Sequence, residues 1–116
     1  MRVWMPATAA DISTLLESGS LMLSAGFTVT PEWSVLIGES DEEVLEDLRA
    51  LNVEAPVVIV ADVDASITDV EAGEVAVNGA VSAKRISAFL AKSEQDDEFS
   101  WFGPTEGLNL LDFLRN

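Results

Sequence analysis

The run Ala55–Asp64, APVVIVADVD, constrains the fold more than any other stretch of the chain. Val57, Val58, Ile59 and Val60 are consecutive β-branched residues, bounded by Pro56 on one side and by Asp62 and Asp64 on the other. A β-branched run without alternation reads as a strand buried on both faces. Such a strand belongs in the middle of a sheet, with other elements packed around it.

The flanking patterns supply those elements. Arg2–Met5 alternates and reads as a short strand ended by Pro6. Thr8 and Asp11 have the spacing of a capping box, so a helix follows, with Ile12, Leu15 and Leu16 inward and Gly19 as its stop. Ala25–Thr30 reads as a second strand. Thr30 and Pro31 then open a helix as N-cap and first helical residue. Trp33, Leu36 and Ile37 are its expected inward positions, and Gly38 ends it. Ser40–Glu43 is a second capping box, before a helix whose apolar stripe is Val44, Leu45, Leu48 and Leu51.

Past the central strand, Asp64–Gly73 reads as a polar connection. Glu74–Val77 is strand-like, and Asn78-Gly79 predicts a tight hairpin turn toward Ala80-Val81. Ser82 caps a helical turn. Ile86–Ala91 then reads as a strand with Ile86, Ala88 and Leu90 on one face, although one helix over 82–92 is an alternative. Lys92–Glu98 looks like a hairpin loop and Phe99–Phe102 like its second strand. Gly103-Pro104 separates these from a Leu-rich helix, Glu106–Leu114, apolar almost all round. Such a helix is either buried on most sides or docked against a partner.

Strand–helix–strand–helix–helix–strand in the first half favours parallel strands with right-handed crossovers. The second half favours antiparallel pairing. The expectation is a single α+β domain over residues 1–116, α/β-like in its N-terminal half. Its core is a mixed sheet of about five strands with three to four packed helices.

Composition narrows the chemistry. The chain has no histidine and no cysteine. That removes the usual general base, thiolate catalysis, and Cys- or His-ligated metals. It carries 21 acidic side chains against six basic ones, a formal net charge of −15. A phosphate-binding protein needs a basic footprint, so nucleic acid is not an expected partner, and anionic membranes are disfavoured for the same reason. No stretch reaches the ~18 apolar residues of a membrane helix and no leader pattern is visible, so a cytoplasmic protein is expected. The acidity itself reads first as a solvated surface, and second as an attraction for a basic partner.

The acidic pair Asp62 and Asp64 invites comparison with two metal-dependent patterns. A strand followed by Asp-x-Asp matches the nucleophile motif of haloacid-dehalogenase-type phosphotransferases. Here, however, the motif lies past the midpoint of the chain, with too little sequence after it for the rest of such a site. As a calcium loop, Asp62, Asp64, Ser66 and Thr68 fall on ligand positions, but Ile67 replaces the required Gly and Gly73 the closing Glu. No metal, cofactor or catalytic residue is therefore assigned. Lys84-Arg85 is the one adjacent basic pair, suited to an acidic ligand or to neutralising nearby carboxylates.

If the strands are parallel, their carboxyl ends share an edge where α/β proteins place ligands. Thr8, Thr30, Asp62 and Asp64 would gather there, with Trp101 walling the edge or buried in the core. The functional expectation is a non-enzymatic protein-interaction module whose partner is a protein offering a basic surface or an apolar groove. The alternative is a small-ligand or Mg-dependent enzyme domain at that edge.

Several segments carry a family resemblance. They are Met1-Arg-Val-Trp-Met-Pro-Ala-Thr8, Val29-Thr-Pro31, Gly38–Glu43, Val58–Val63, and Trp101-Phe102 before the Leu-rich helix. Together they resemble a family of small, acidic, uncharacterised actinobacterial proteins. The resemblance implies a cytoplasmic bacterial protein and no particular reaction.

Overall fold

The computed structural model describes residues 1–93 and 98–115. Its backbone is the antiparallel ladder between β1 (Arg2–Ala7) and β4 (Val57–Asp62), which runs in unbroken register from Arg2↔Asp62 to Ala7↔Val57. β8 (Ile86–Ala91) pairs antiparallel on the other side of β4. The remaining strands extend this centre. β3 (Ala25–Phe27), β6 (Glu74–Val77) and β5 (Ala65–Asp69) lie beyond β1, and β9 (Ser100–Phe102) lies beyond β8. The seven-stranded order is β5-β6-β3-β1-β4-β8-β9, and every adjacent pair is antiparallel. A separate two-stranded ribbon joins β2 (Ser20–Leu21) to β7 (Val81–Ser82).

The fold is α+β, but the parallel N-terminal half is corrected to antiparallel, and about five strands to seven. The helices after β1 do not carry the chain across to a parallel neighbour. β3 and β4 both run against β1, one on each side of it. The central strand is nonetheless buried along Val57–Ala61, as its composition predicted.

Strand alternation divides the interior in two. Val3, Met5, Val57, Ile59 and Phe89 point to a first core. It is closed by Ile12 and Leu15 of α1 (Ala9–Ser18) and Leu110 of α4 (Gly107–Arg115). Trp4, Val58, Val60 and Ala88 point to a second core, closed by Ala50 and Val53 at the end of α3 (Glu42–Asn52). β8 is a strand, as its pattern implies, but Ile86 faces the first core rather than joining Ala88 and Leu90. The register slips between Val60↔Ala88 and Ala61↔Ile86, and this bulge at Ser87 turns Ile86 to the other face.

Local signals hold at the helix ends. Thr8 and Asp11 form the full capping box, and Thr30 caps α2 (Pro31–Ile37) with Pro31 at its start. At α3 the cap is Asp41, not Ser40: its carboxylate accepts from the N–H groups of Glu43 and Val44. Pro6 lies inside β1 rather than ending it. β3 reaches β1 only at Trp4, so Pro6 sits where β1 has one ladder neighbour and a missing N–H is tolerated.

Three other expectations change. Asp64–Gly73 is not merely a connection: it contains β5, paired with β6 through a bulge. The Asn78-Gly79 turn does not close a hairpin between β6 and β7, because Val81 and Ser82 pair with β2 instead. The expected loop over 92–98 lies partly outside the described residues. α4 is held by Leu110 and by the contact of Phe113 with Phe102, ring centroids 5.5 Å apart, while Leu108 is exposed. It is therefore mostly a core helix.

Two glycines are required by close approach. A Cβ on Gly26 would stand 2.5 Å from Val3 Cγ1 and 2.9 Å from Met5 Cγ, so glycine lets β3 lie against β1. Gly73 has a φ of +71°, and its Cβ would collide with the carbonyl oxygen of Thr28. Gly79 shares a positive φ but has open space around it. Gly79→Ala is therefore expected to cost only the left-handed strain, about 1 kcal/mol, and Gly73→Ala more than about 2 kcal/mol, since strain and collision add. Urea denaturation of both variants checks this. Equal losses would show that the contact around Gly73 is not restrictive.

Candidate functional site

α3 was expected to bury Val44, Leu45, Leu48 and Leu51. Instead Leu45, Arg49 and Ala50 are its buried residues, with Val44 and Leu51 exposed. Arg49 is only 3% exposed. Its guanidinium carbon lies 4.0 Å from the ring centre of Trp33 in α2 and 5.0 Å from that of Phe27 in β3. Nη1 donates to the carbonyl oxygens of Ala72 at 2.9 Å and Thr28 at 3.3 Å. Among the described residues no carboxylate pairs with it, and Nε has no hydrogen-bond partner. Burial lowers its pKa from the ordinary arginine value. The charge is held by π faces and carbonyl dipoles, a set that suits a planar, weakly hydrated guanidinium far better than an ammonium. One side chain thus ties α3 to α2, to β3 and to the turn before β6.

The predicted ligand edge does not exist in an antiparallel sheet. Thr8 adjoins the Ala7↔Val57 end of the β1–β4 ladder, and Asp62 lies at the opposite end, beside Arg2. Thr8 is occupied in its capping box, donating its N–H to Asp11 Oδ2 at 2.9 Å and accepting from the Asp11 N–H at 3.1 Å. Thr30 is buried, with its hydroxyl donating to the Val70 carbonyl and accepting from the Trp33 N–H.

Asp62 and Asp64 do share a cavity. Its volume is about 440 Å³, and Met1, Val63, Asn78, Ala80, Ser82 and Arg85 also line it. Asp62 additionally meets Arg2, Nε to Oδ1 3.6 Å, and Arg2 reaches Glu46 of α3 at 3.5 Å. These pairs are about half exposed, so they orient side chains more than they stabilise the fold. Among the described residues there is no group of three or more acidic side chains that could hold a metal ion.

Trp101 is not among the residues that line the cavity of Asp62 and Asp64, and it is 63% exposed rather than core. It pairs with Leu90 in the ladder and lines a groove of about 260 Å³ between α3 and the β8–β9 edge. Glu46 and Asp47 border this groove, and Trp4, Val60, Ala88 and Leu90 give it an apolar floor.

On the other flank of α3, α2 buries Trp33 but leaves Val35, Leu36 and Ile37 exposed, against the expectation that Leu36 and Ile37 point inward. Seven residues make two turns, and the single anchor at Trp33 sets which face is hidden. Val35, Leu36 and Pro31 line a shallow cavity of about 410 Å³ with Glu32 and Glu71.

Arg49 is the residue that sequence reasoning missed. A signal was present: Leu45, Arg49 and Val53 repeat at i, i+4 and i+8, which places the lone base of an acidic helix in the middle of its buried stripe. Among the described residues no helix is long and apolar enough to cross a membrane. A family model for a family of unknown function, DUF6912, matches residues 1–99, a span that ends before β9 and α4. No curated protein matches the chain, and no solved structure does.

The Arg49–Trp33 contact is measurable by a double-mutant cycle with Arg49→Met and Trp33→Leu. A desolvated cation–π pair predicts a coupling of about 1–2 kcal/mol in chemical denaturation. Additive losses would mean that Arg49 is held by its carbonyl partners alone.

Proposed function

The chain belongs to the family of unknown function DUF6912, and we propose that it works as a non-enzymatic interaction module that binds a protein through a basic, amphipathic segment. The observation that carries this reading is the outer face of α2. Val35 is 80% exposed and Leu36 66%, and Ile37 follows directly, on a helix anchored by Trp33. Three successive exposed apolar residues gain by being covered. Glu32 and Glu71 flank the patch, and the whole chain carries −15. A second copy would bring the same negative field to the contact, whereas a basic segment is drawn to it. The lack of histidine and cysteine supports the non-enzymatic side of the reading.

An 18-residue amphipathic helix of leucine and lysine serves as a probe. It should bind the native protein, and Val35→Ser with Leu36→Ser should weaken binding about tenfold by removing two apolar contacts. Both side chains are exposed, so the melting temperature should hardly move. Unchanged affinity in the double variant would overturn the proposal. So would a native dimer in sedimentation that the double variant abolishes, because the face would then belong to a second copy.

A second reading rests on the Asp62 cavity. Its lining combines two carboxylates with the Arg85 guanidinium, a set suited to a small ligand bearing both an amine and an acid group rather than to a bare cation. A ligand that binds the native state raises the melting temperature. Millimolar amino acids should therefore stabilise the native protein more than Asp64→Asn, with Mg²⁺ inert. A shift from Mg²⁺ alone, or none from any amino acid, would remove this reading.

A further inference from the structure

We infer that the groove beside α3 is a receptor for one long cationic side chain, lysine or arginine, supplied by a protein partner. Three features converge there. Trp101 offers an exposed indole on the same sheet face as Leu90 and Val60. Asp47 stands at the border and makes no ion pair among the described residues. Arg2, the cation already in the groove, is engaged with Glu46 at 3.5 Å and Asp62 at 3.6 Å, which leaves Asp47 to an incoming charge.

A lysine or arginine has the matching anatomy, an apolar stem for the aliphatic floor and a charged head for the carboxylate and the indole face. Among the described residues two of the chain's own cations already sit on aromatic rings. Arg49 lies on Trp33, and Lys92 Nζ lies 4.6 Å from the ring centre of Phe99. Trp101 is the exposed indole for which no such cation is found among the described residues. About 260 Å³ accommodates a single side chain rather than a docked helix. The inference rests on the interaction-module reading in taking the cation from a protein, but it concerns a different surface from the α2 patch.

The test follows the indole N–H resonances of the three tryptophans by NMR, assigned through Trp101→Phe. The probe is a capped five-residue peptide alternating leucine and arginine, with a leucine–glutamate peptide as control. The arginine peptide should move the Trp101 resonance, and Asp47→Asn should weaken that binding about two- to fivefold, within the range for an exposed ion pair. Asp47 and Trp101 are both exposed, so the variants should fold as the native chain does. If the glutamate peptide moves Trp101 equally, the groove is merely apolar and the inference falls. If the arginine peptide moves only the methyl resonances of Val35 and Leu36, the inference falls while the interaction module stands. If it moves neither at millimolar concentration, the groove receptor is overturned, and the α2 face is judged by its own helix probe.

Discussion

Everything in the structure depends on β4 being covered on both faces. Val57 to Ala61 are buried, so each side of the sheet must be closed by apolar material. One side has a complete lid: α1, α4 and the β2–β7 ribbon supply Ile12, Leu15, Leu110, Leu21 and Val81. The other side is closed mainly by α3 and the residue that caps it, which contribute only Ala50 and Val53 to the buried cluster. Unequal cover is the physical origin of the candidate surfaces. The groove at Trp101 lies where the sheet continues past α3, and the α2 patch lies on its other flank.

Arg49 completes that thinner side in an unusual way. A guanidinium is normally kept near water or beside a carboxylate, because desolvation of an unpaired charge is costly. Here two ring faces and two carbonyl oxygens replace the solvent. The arrangement spends the only inward side chain of α2, Trp33, on the cation. Val35, Leu36 and Ile37 of that short helix are left exposed. The same placing of a cation on an aromatic face recurs at Lys92 and Phe99, whereas among the described residues no such cation is found at Trp101.

The acidity acts on a different scale. The ion pairs of Arg2 with Glu46 and Asp62 are half exposed and contribute little to folding. Several carboxylates have local duties: Asp11 and Asp41 satisfy helix N–H groups, and Glu106 accepts from the Gly103 N–H. What remains is a long-range negative field. A field of that sign repels like-charged surfaces and attracts basic ones.

Short-range physics was legible in the residues themselves. Thr8, Thr30 and Ser82 cap their helices and Gly19 and Gly38 end theirs, as the local sequence implies, because capping is decided within one helical turn. Val57–Val60 declared a doubly covered strand, and the absence of histidine and cysteine closed off whole chemistries. Tertiary structure decided what depends on distant neighbours. Strand direction was one such property: a strand–helix–strand order permits either parallel crossover or antiparallel return, and only the pairing of Arg2 with Asp62 selects the second. That choice separated Thr8 from Asp62 and dissolved the expected ligand edge. The bulge at Ser87 reversed Ile86, and the anchor at Trp33 turned Leu36 outward. Which side of a helix or strand meets solvent is settled by what packs against it, and residues remote in sequence supply that packing.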